Sequence, residues 1–453
     1  MTTFIRTLRL RDVVLMNVVA VVGLRWIARG ARAGPPSVTL WMLAWIAFFV
    51  PLAVSVSSLA RRYPDQGGVY VWVRRACGPT HGFICGWCLW VNNLFYFPSV
   101  LLFGAANFAA MGNWQALGAS RWYSIAFVLA GIWLTAGINV VGLRLGKWLQ
   151  NAGTLGVWIP VGLLIGCGVL ALAKFGSATP FTPRSMIPHG NLLDTIGLWS
   201  AMCFAFSGFE IGSFVGQEIV DPERTIPRGI FIAGIATTII YVVGSASVLF
   251  AIPLSSLKEL SGITDAVQLV AARVGLTGLG ALTGGLLTLN ALAGASSWTA
   301  GSARVPFALG VDSVMPAAFA RLHPRYVTPH VALTVQALAS SLIFLASLFF
   351  ALSGRATSIQ EAYDILVNLT ILIYFIPYLY LFVALVRLLP DRSHALAWMG
   401  FGATAVSIAL TFLPPPGSNV VTYEVNLVVQ AAVMLGAGGA LYMWRGRQAA
   451  VRP

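Results

Sequence analysis

The chain has 453 residues, 58% of them hydrophobic and only 9% charged, with a formal net charge of +14 and a mean hydropathy of +0.82. Soluble domains average about 25% charged residues, so this balance leaves too few charges to cover a water-facing surface. It excludes an ordinary soluble enzyme and a soluble nucleic-acid-binding protein, and it leaves lipid as the solvent.

A spanning helix needs about 20 mainly apolar residues, and stretches of that kind recur along the whole sequence. Twelve are predicted, near 12–33, 38–60, 83–111, 122–142, 149–173, 194–217, 229–252, 274–302, 331–353, 360–387, 395–413 and 424–444. The first follows Arg6, Arg9 and Arg11 without a small-residue cleavage site, so it is expected to stay as a helix. Turn chemistry separates the segments at Gly34-Pro35-Pro36, Pro64-Asp65-Gln66-Gly67-Gly68, Pro180 and Pro183, Asp221-Pro222, and Pro414-Pro415-Pro416. An even number of segments puts both termini on one side, and that side carries 19 of the 28 Lys and Arg residues. Positive loops face the cytoplasm, which predicts an integral protein of the plasma (inner) membrane with both termini cytoplasmic. The same basic loops favour anionic membrane lipid as a partner, and no nucleic-acid partner is expected.

Two segments carry a charge and a glycine at mid-depth. The first reads Val21-Val22-Gly23-Leu24-Arg25, and the sixth reads Ala205-Phe206-Ser207-Gly208-Phe209-Glu210. Glycine costs a helix up to about 1 kcal/mol, and a mid-membrane charge costs at least about 2.5 kcal/mol. Both costs at one depth point to unwound helix lining a cavity. The segments lie five apart and so run in opposite directions, the arrangement of a carrier whose binding site sits between two inverted halves.

Four stretches then resemble the amino acid–polyamine–organocation superfamily of permeases. They are the Gly23 break followed by Ala33-Gly34-Pro35; the loop Arg62 to Trp72 ending at Gly78; Phe206 to Glu210 followed by Glu218 to Arg228; and Ser302-Ala303-Arg304 through Met315-Pro316, His323-Pro324-Arg325 and Thr328-Pro329. The resemblance covers roughly residues 10–390. It implies an all-α, leucine-transporter-type fold in a single membrane domain over 1–453. The first five-helix repeat is expected over 12–173, the inverted second over 194–387 and two peripheral helices over 395–444. Phe83 to Pro98, with Gly153-Thr154 and Ile159-Pro160, is similar to the glutamate/GABA-type exchangers. The implied function is secondary transport of amino acids or related amines by alternating access, as exchange, with proton- or cation-coupled symport as the alternative. No ATP-binding loop of the GxxxxGK[ST] type is present. A membrane-embedded enzyme or a channel is the remote reading, since His81, His189, His323, His330 and His394 are dispersed and form no catalytic order.

The expected substrate-binding residues are Val22, Gly23, Leu24, Arg25, Asn93, Tyr96, Phe206, Ser207, Gly208, Phe209 and Glu210, with no cofactor, no catalytic residue and no metal. His81, Cys85 and Cys88 share a helical face but lack the fourth ligand of a structural metal site. Ser296, Ser297 and Thr299 read as small packing residues of a membrane helix, and the Trp and Tyr residues read mostly as an interfacial belt. The superfamily's second break glycine is replaced here by Arg25, whose guanidinium suits a substrate carboxylate. Arg25, Arg29 and Arg32 fall on one helical face, and Arg29 and Arg32 are expected to draw carboxylate inward. Two alternatives stand beside this: the stripe snorkels to lipid phosphates, or Arg25 pairs with Glu210 as a gate.

Overall fold

A computed structural model describes residues 9–63, 68–188, 192–210, 219–311, 315–349, 357–390, 394–416 and 418–451. Four pieces of the motifs above, Pro64 to Gly67, His189, Glu218 and residues 312–314, lie outside the described residues. The helices in chain order are α1 Leu10–Val21, α2 Arg25–Ala31, α3 Ser37–Arg62, α4 Gly68–Cys77, α5 Pro79–Met111 and α6 Gln115–Ala119. Next come α7 Arg121–Val141, α8 Leu143–Phe175, α9 Leu192–Gly197, α10 Trp199–Ala205, α11 Pro222–Ala251 and α12 Gly262–Arg273. The last are α13 Leu279–Ser302, α14 Arg304–Val311, α15 His330–Phe349, α16 Ile359–Leu388, α17 Ala395–Leu410 and α18 Val420–Val451.

Among the described residues, nine helices are long and apolar enough to cross a membrane, and ten if α1 and α2 form one bent span. Shorter apolar helices occupy the sixth and eleventh predicted segments, at Thr195–Ala205 and Ala395–Leu410. The seventh segment starts earlier than its hydropathy suggests, because Pro222 supplies the first turn of α11 with a pre-set φ and no wasted N–H. Short α4 and α12 escaped the hydropathy reading, being too polar or too brief to register as spans.

The chain divides into two compact units, each built from three separate stretches. The first comprises 1–85, 160–280 and 375–413, and the second 86–159, 281–374 and 414–453. Each therefore draws helices from both predicted halves.

In the first unit α11 is the spine, and its glycines explain why. A Cβ at Gly229 would lie 2.6 Å from Val13 of α1, at Gly234 1.9 Å from the Phe49 ring of α3, and at Gly244 3.0 Å from Ile27 of α2. Small residues let membrane helices approach this closely, where packing rather than hydrophobicity drives association. Gly234→Ala is accordingly expected to cost about 1–3 kcal/mol through overpacking against Phe49, read as a lowered melting temperature of the purified protein. In the second unit α13 plays the same part. A Cβ at Gly104 would meet Ala291 at 2.9 Å, and one at Gly153 would meet Ala293 at 2.2 Å. The Asn139 amide donates to the Ser296 carbonyl at 3.0 Å, and Asn290 donates to the Gly153 carbonyl at 3.3 Å.

Candidate functional site

The first break falls where the sequence places it. α1 ends at Val21, Val22 to Leu24 are non-helical, and α2 leaves at 59° to α1. Interrupting a helix frees backbone groups that must find partners when buried. Here one hydroxyl serves two of them: Tyr241 of α11 accepts from the Gly23 N–H at 3.1 Å and donates toward the Val21 carbonyl at 3.0 Å. The same hydroxyl lies 3.2 Å from the carbonyl of Ala205, the last residue of α10. A phenol has one proton, so the two carbonyls share it, and one side chain joins the two broken segments. Tyr241 is held in turn by Trp41, whose ring stacks on it at 4.5 Å and 20°. The Trp41 indole donates to Ser245, and Ser245 donates to the Ile27 carbonyl in α2, each at 3.1 Å.

The second break also matches expectation. α10 stops at Ala205, and Phe206 and Ser207 close tight turns back to Cys203 and Phe204. Gly208 sits at φ +101°, a left-handed conformation that a side chain would strain. Its N–H donates to the Tyr378 hydroxyl at 3.0 Å and to Glu210 Oε2 at 3.1 Å, while Tyr378 donates to the same oxygen at 2.8 Å. Glu210 is 2% exposed. A buried carboxylate needs such charge-assisted donors to offset its lost hydration. The continuation of this segment, residues 211–218, lies outside the described residues.

Aromatic rings fill the space around both breaks. Phe206 meets Trp41 and Tyr241 edge-on at 5.8 Å each, and Phe209 meets Phe49 at 4.9 Å. Phe49 closes a π-helical turn over Trp45–Phe49 inside α3, a device common near functional sites. Arg25 is buried at 3% exposure, with its guanidinium carbon 4.2 Å from the Trp26 ring centre. Trp26 in turn meets Phe204 of α10 at 5.4 Å.

Arg29 and Arg32 are not a free basic stripe, and that expectation is corrected. Both bind one carboxylate, Glu259, in the segment between α11 and α12: Arg29 at 2.6 Å on Oε1, Arg32 on Oε2. Burial pushes the Glu259 carboxyl up, but the two guanidiniums outweigh it and hold it below the usual carboxylate range. A depressed folded value means stability that is present above the unfolded carboxylate range and lost as the pH falls through the folded value. The melting-temperature gap between the natural protein and Glu259→Gln is expected to be full at pH 7 and to shrink only in strong acid.

Asn93 and Tyr96 belong to α5 within the second unit. The Asn93 amide donates back to the Leu89 carbonyl at 2.9 Å, and Tyr96 faces Trp298 at 6.0 Å. Neighbouring Asn92 likewise bonds its own helix, at Leu89, at 2.7 Å. Ser296 of α13 accepts from Asn139 on both its carbonyl and its hydroxyl oxygen, the packing role read from sequence.

The side chains that sequence reasoning missed are Tyr241, Tyr378, Trp41 and Glu259. The aromatic three are fully buried rather than interfacial. One signal was available: Thr237, Tyr241 and Ser245 recur every four residues in an apolar helix, a polar stripe with no membrane-facing purpose.

A family model for amino acid permeases matches residues 8–437. An uncharacterized transporter of Legionella pneumophila is 26% identical over 93% of this chain and 94% of its own. A probable agmatine/putrescine antiporter of Lactococcus lactis, AguD, is 26% identical over 55% of this chain and 51% of its own. In three dimensions the chain resembles the crystal structure of MhsT in complex with L-phenylalanine, a leucine-transporter-type fold, with a TM-score of 0.57 at 13% identity over 97% of this chain and 100% of that one. That likeness shows the fold, and the family model shows the kind of protein: an integral membrane amino acid permease, not an enzyme. The chain belongs to the amino acid permease family.

Proposed function

We propose that this carrier exchanges amino acids or their decarboxylated amines across the plasma membrane by alternating access around the two breaks, with both termini cytoplasmic. The observation that carries the reading is the Tyr241 hydroxyl bonded to both broken segments, with Glu210 at the second break. Backbone groups unwound from a membrane helix, a buried carboxylate and a buried guanidinium are what a zwitterion or a cationic amine requires of its site. The antiporter named among the relatives supports exchange, as does the likeness to glutamate/GABA-type exchangers. The inverted repeats over 12–173 and 194–387, with peripheral helices over 395–444, complete the proposal. The test is counterflow in proteoliposomes, screened over radiolabelled amino acids and diamines. Uptake should rise when the vesicles are preloaded with the same compound. Uptake indifferent to the internal compound but driven by an imposed ion gradient would make the protein a symporter.

In this reading Arg25 holds the substrate carboxylate in place of the missing second glycine, and Glu210 faces the amine. A guanidinium grips a carboxylate through two parallel hydrogen bonds, which lysine cannot reproduce. Arg25→Lys and Arg25→Ala are expected to weaken an amino acid about tenfold or more, the worth of one charge-assisted bond, and to leave its decarboxylated amine nearly unchanged. Equal weakening of both compounds would remove Arg25 from carboxylate recognition.

A further inference from the structure

His323 and His330 face each other at 5.4 Å, ring to ring, in the loop that leads into α15, and the function proposed above uses neither. His323 Nδ1 accepts two backbone N–H groups, from Arg325 at 3.2 Å and from Tyr326 at 3.3 Å. Backbone bonds close the loop around it: the His323 N–H donates to the Thr328 carbonyl at 2.8 Å, and the Val327 N–H to the His323 carbonyl at 2.9 Å. Thr328 carries the closed loop to its neighbour, its hydroxyl donating to the Val140 carbonyl at the end of α7 at 2.8 Å. Val140 packs on a buried cluster of Ala303, just after α13, and Ala332 and Leu333 of α15. One closed loop thus ties the ends of three helices.

The closure works against strain. Val327 sits at φ +54° and is 69% exposed. A side chain branched at Cβ is strained in that region and stays there only where its surroundings hold it. With so little packing on Val327, the hydrogen bonds around His323 do the holding. An imidazole accepts at Nδ1 only while that nitrogen carries no proton. The imidazolium would instead set an N–H against the two N–H groups that now point at it. The groups facing His323 add to that conflict. The Tyr326 ring lies 4.8 Å away with the Arg325 guanidinium over it, and the buried Nδ1 of His330 has no hydrogen-bond partner among the described residues. No carboxylate pairs with His323 among the described residues, and α7 meets the loop through the uncharged Val140. The closed loop therefore binds fewer protons than the open one, so its stability is present at neutral pH and is lost as the pH falls.

We propose that His323 is a pH-sensitive clasp: without a proton on Nδ1 it holds loop 321–330 closed against α7, and once protonated it lets the strained loop open and loosens the ends of α7, α13 and α15. Histidine is the side chain whose charge changes between about pH 5 and 8, the range in which such a clasp is useful. The inference rests on the carrier reading only for its place and purpose. With both termini cytoplasmic, this loop faces the cytoplasm, and its opening slows the carrier when that side turns acid.

The test is hydrogen–deuterium exchange by mass spectrometry on the full chain in lipid nanodiscs, corrected for the intrinsic chemical rate at each pH. It compares the natural protein with His323→Asn, whose side-chain oxygen reaches the same two N–H groups and does not titrate, and with His323→Ala, which has no acceptor. In the natural protein, protection of the amides in 321–330 is expected to fall about tenfold or more between about pH 7.5 and 5.5, the worth of two hydrogen bonds. His323→Asn should stay protected at both values and His323→Ala at neither, with α1 and α11 unchanged throughout. Equal protection of the natural protein at both values would overturn the clasp. So would an equal loss in His323→Asn, or a loss shared by α1 and α11, which is what acid unfolding gives. In counterflow of radiolabelled leucine or putrescine, the natural carrier should lose more of its rate over the same range than His323→Asn does, and equal losses would overturn the regulatory role. A protein that moves neither compound, nor any other amino acid or amine, overturns the carrier reading, while the exchange pattern still decides the clasp.

Discussion

Tyr241→Phe is expected to lower the transport rate per folded carrier about thirtyfold or more, with helical content unchanged. The substitution is unusually clean. Phenylalanine keeps the ring that stacks on Trp41 at 4.5 Å, so the core around α11 stays filled and only an oxygen and a proton are lost. What they leave behind is a Gly23 N–H and the Val21 and Ala205 carbonyls, all deprived of the group that joined them. A buried polar group without a partner costs roughly 1–3 kcal/mol, and about 2 kcal/mol corresponds to thirtyfold. The cost falls on the relative placement of the two breaks rather than on the helices themselves. Transport at the natural rate, with the variant folded, would show that the hydroxyl merely fills space.

The second large effect is expected at Glu210. Glu210→Gln keeps the shape and one carbonyl oxygen, so Gly208 can still donate to it. What goes is the charge that strengthens the Tyr378 and Gly208 bonds to Glu210. Charge-assisted bonds are worth about 1.5–3 kcal/mol, so the maximal rate or the affinity for a cationic amine should fall by a factor of about 10–100. Tyr378→Phe removes one donor to Glu210 and should give a smaller loss in the same parameter. Kinetics identical to the natural protein in Glu210→Gln would exclude the carboxylate from transport and leave it as a cap for the broken end of α10.

The parts of this site that could be read from sequence are those where a residue conflicts with its surroundings. Gly23 with Arg25, and Gly208 with Glu210, interrupt apolar runs that have no other use for them, so both breaks were visible and fall where expected. The residues that hold the breaks conflict with nothing nearby. Tyr241 and Tyr378 sit in apolar helices like any interfacial tyrosine, and their partners lie 36–220 residues away in the chain. Glu259 shows the same limit with a sharper consequence. Arg29 and Arg32 look unpartnered along their own helix, and the carboxylate that neutralises them is 230 and 227 residues distant. The π-turn at Trp45–Phe49 has no compositional mark at all, since one extra residue per turn leaves the hydropathy of an apolar run unchanged.

The two breaks, joined at Tyr241, are where the transported compound is proposed to bind. The most direct test is a cryo-electron microscopy structure of the purified carrier with a compound that passes the counterflow screen. The prediction is density against Val22 to Arg25 on one side and Phe206 to Glu210 on the other, with any carboxylate toward Arg25 and any amine toward Glu210. Density lodged elsewhere, with both breaks unchanged from the unliganded protein, would contradict it.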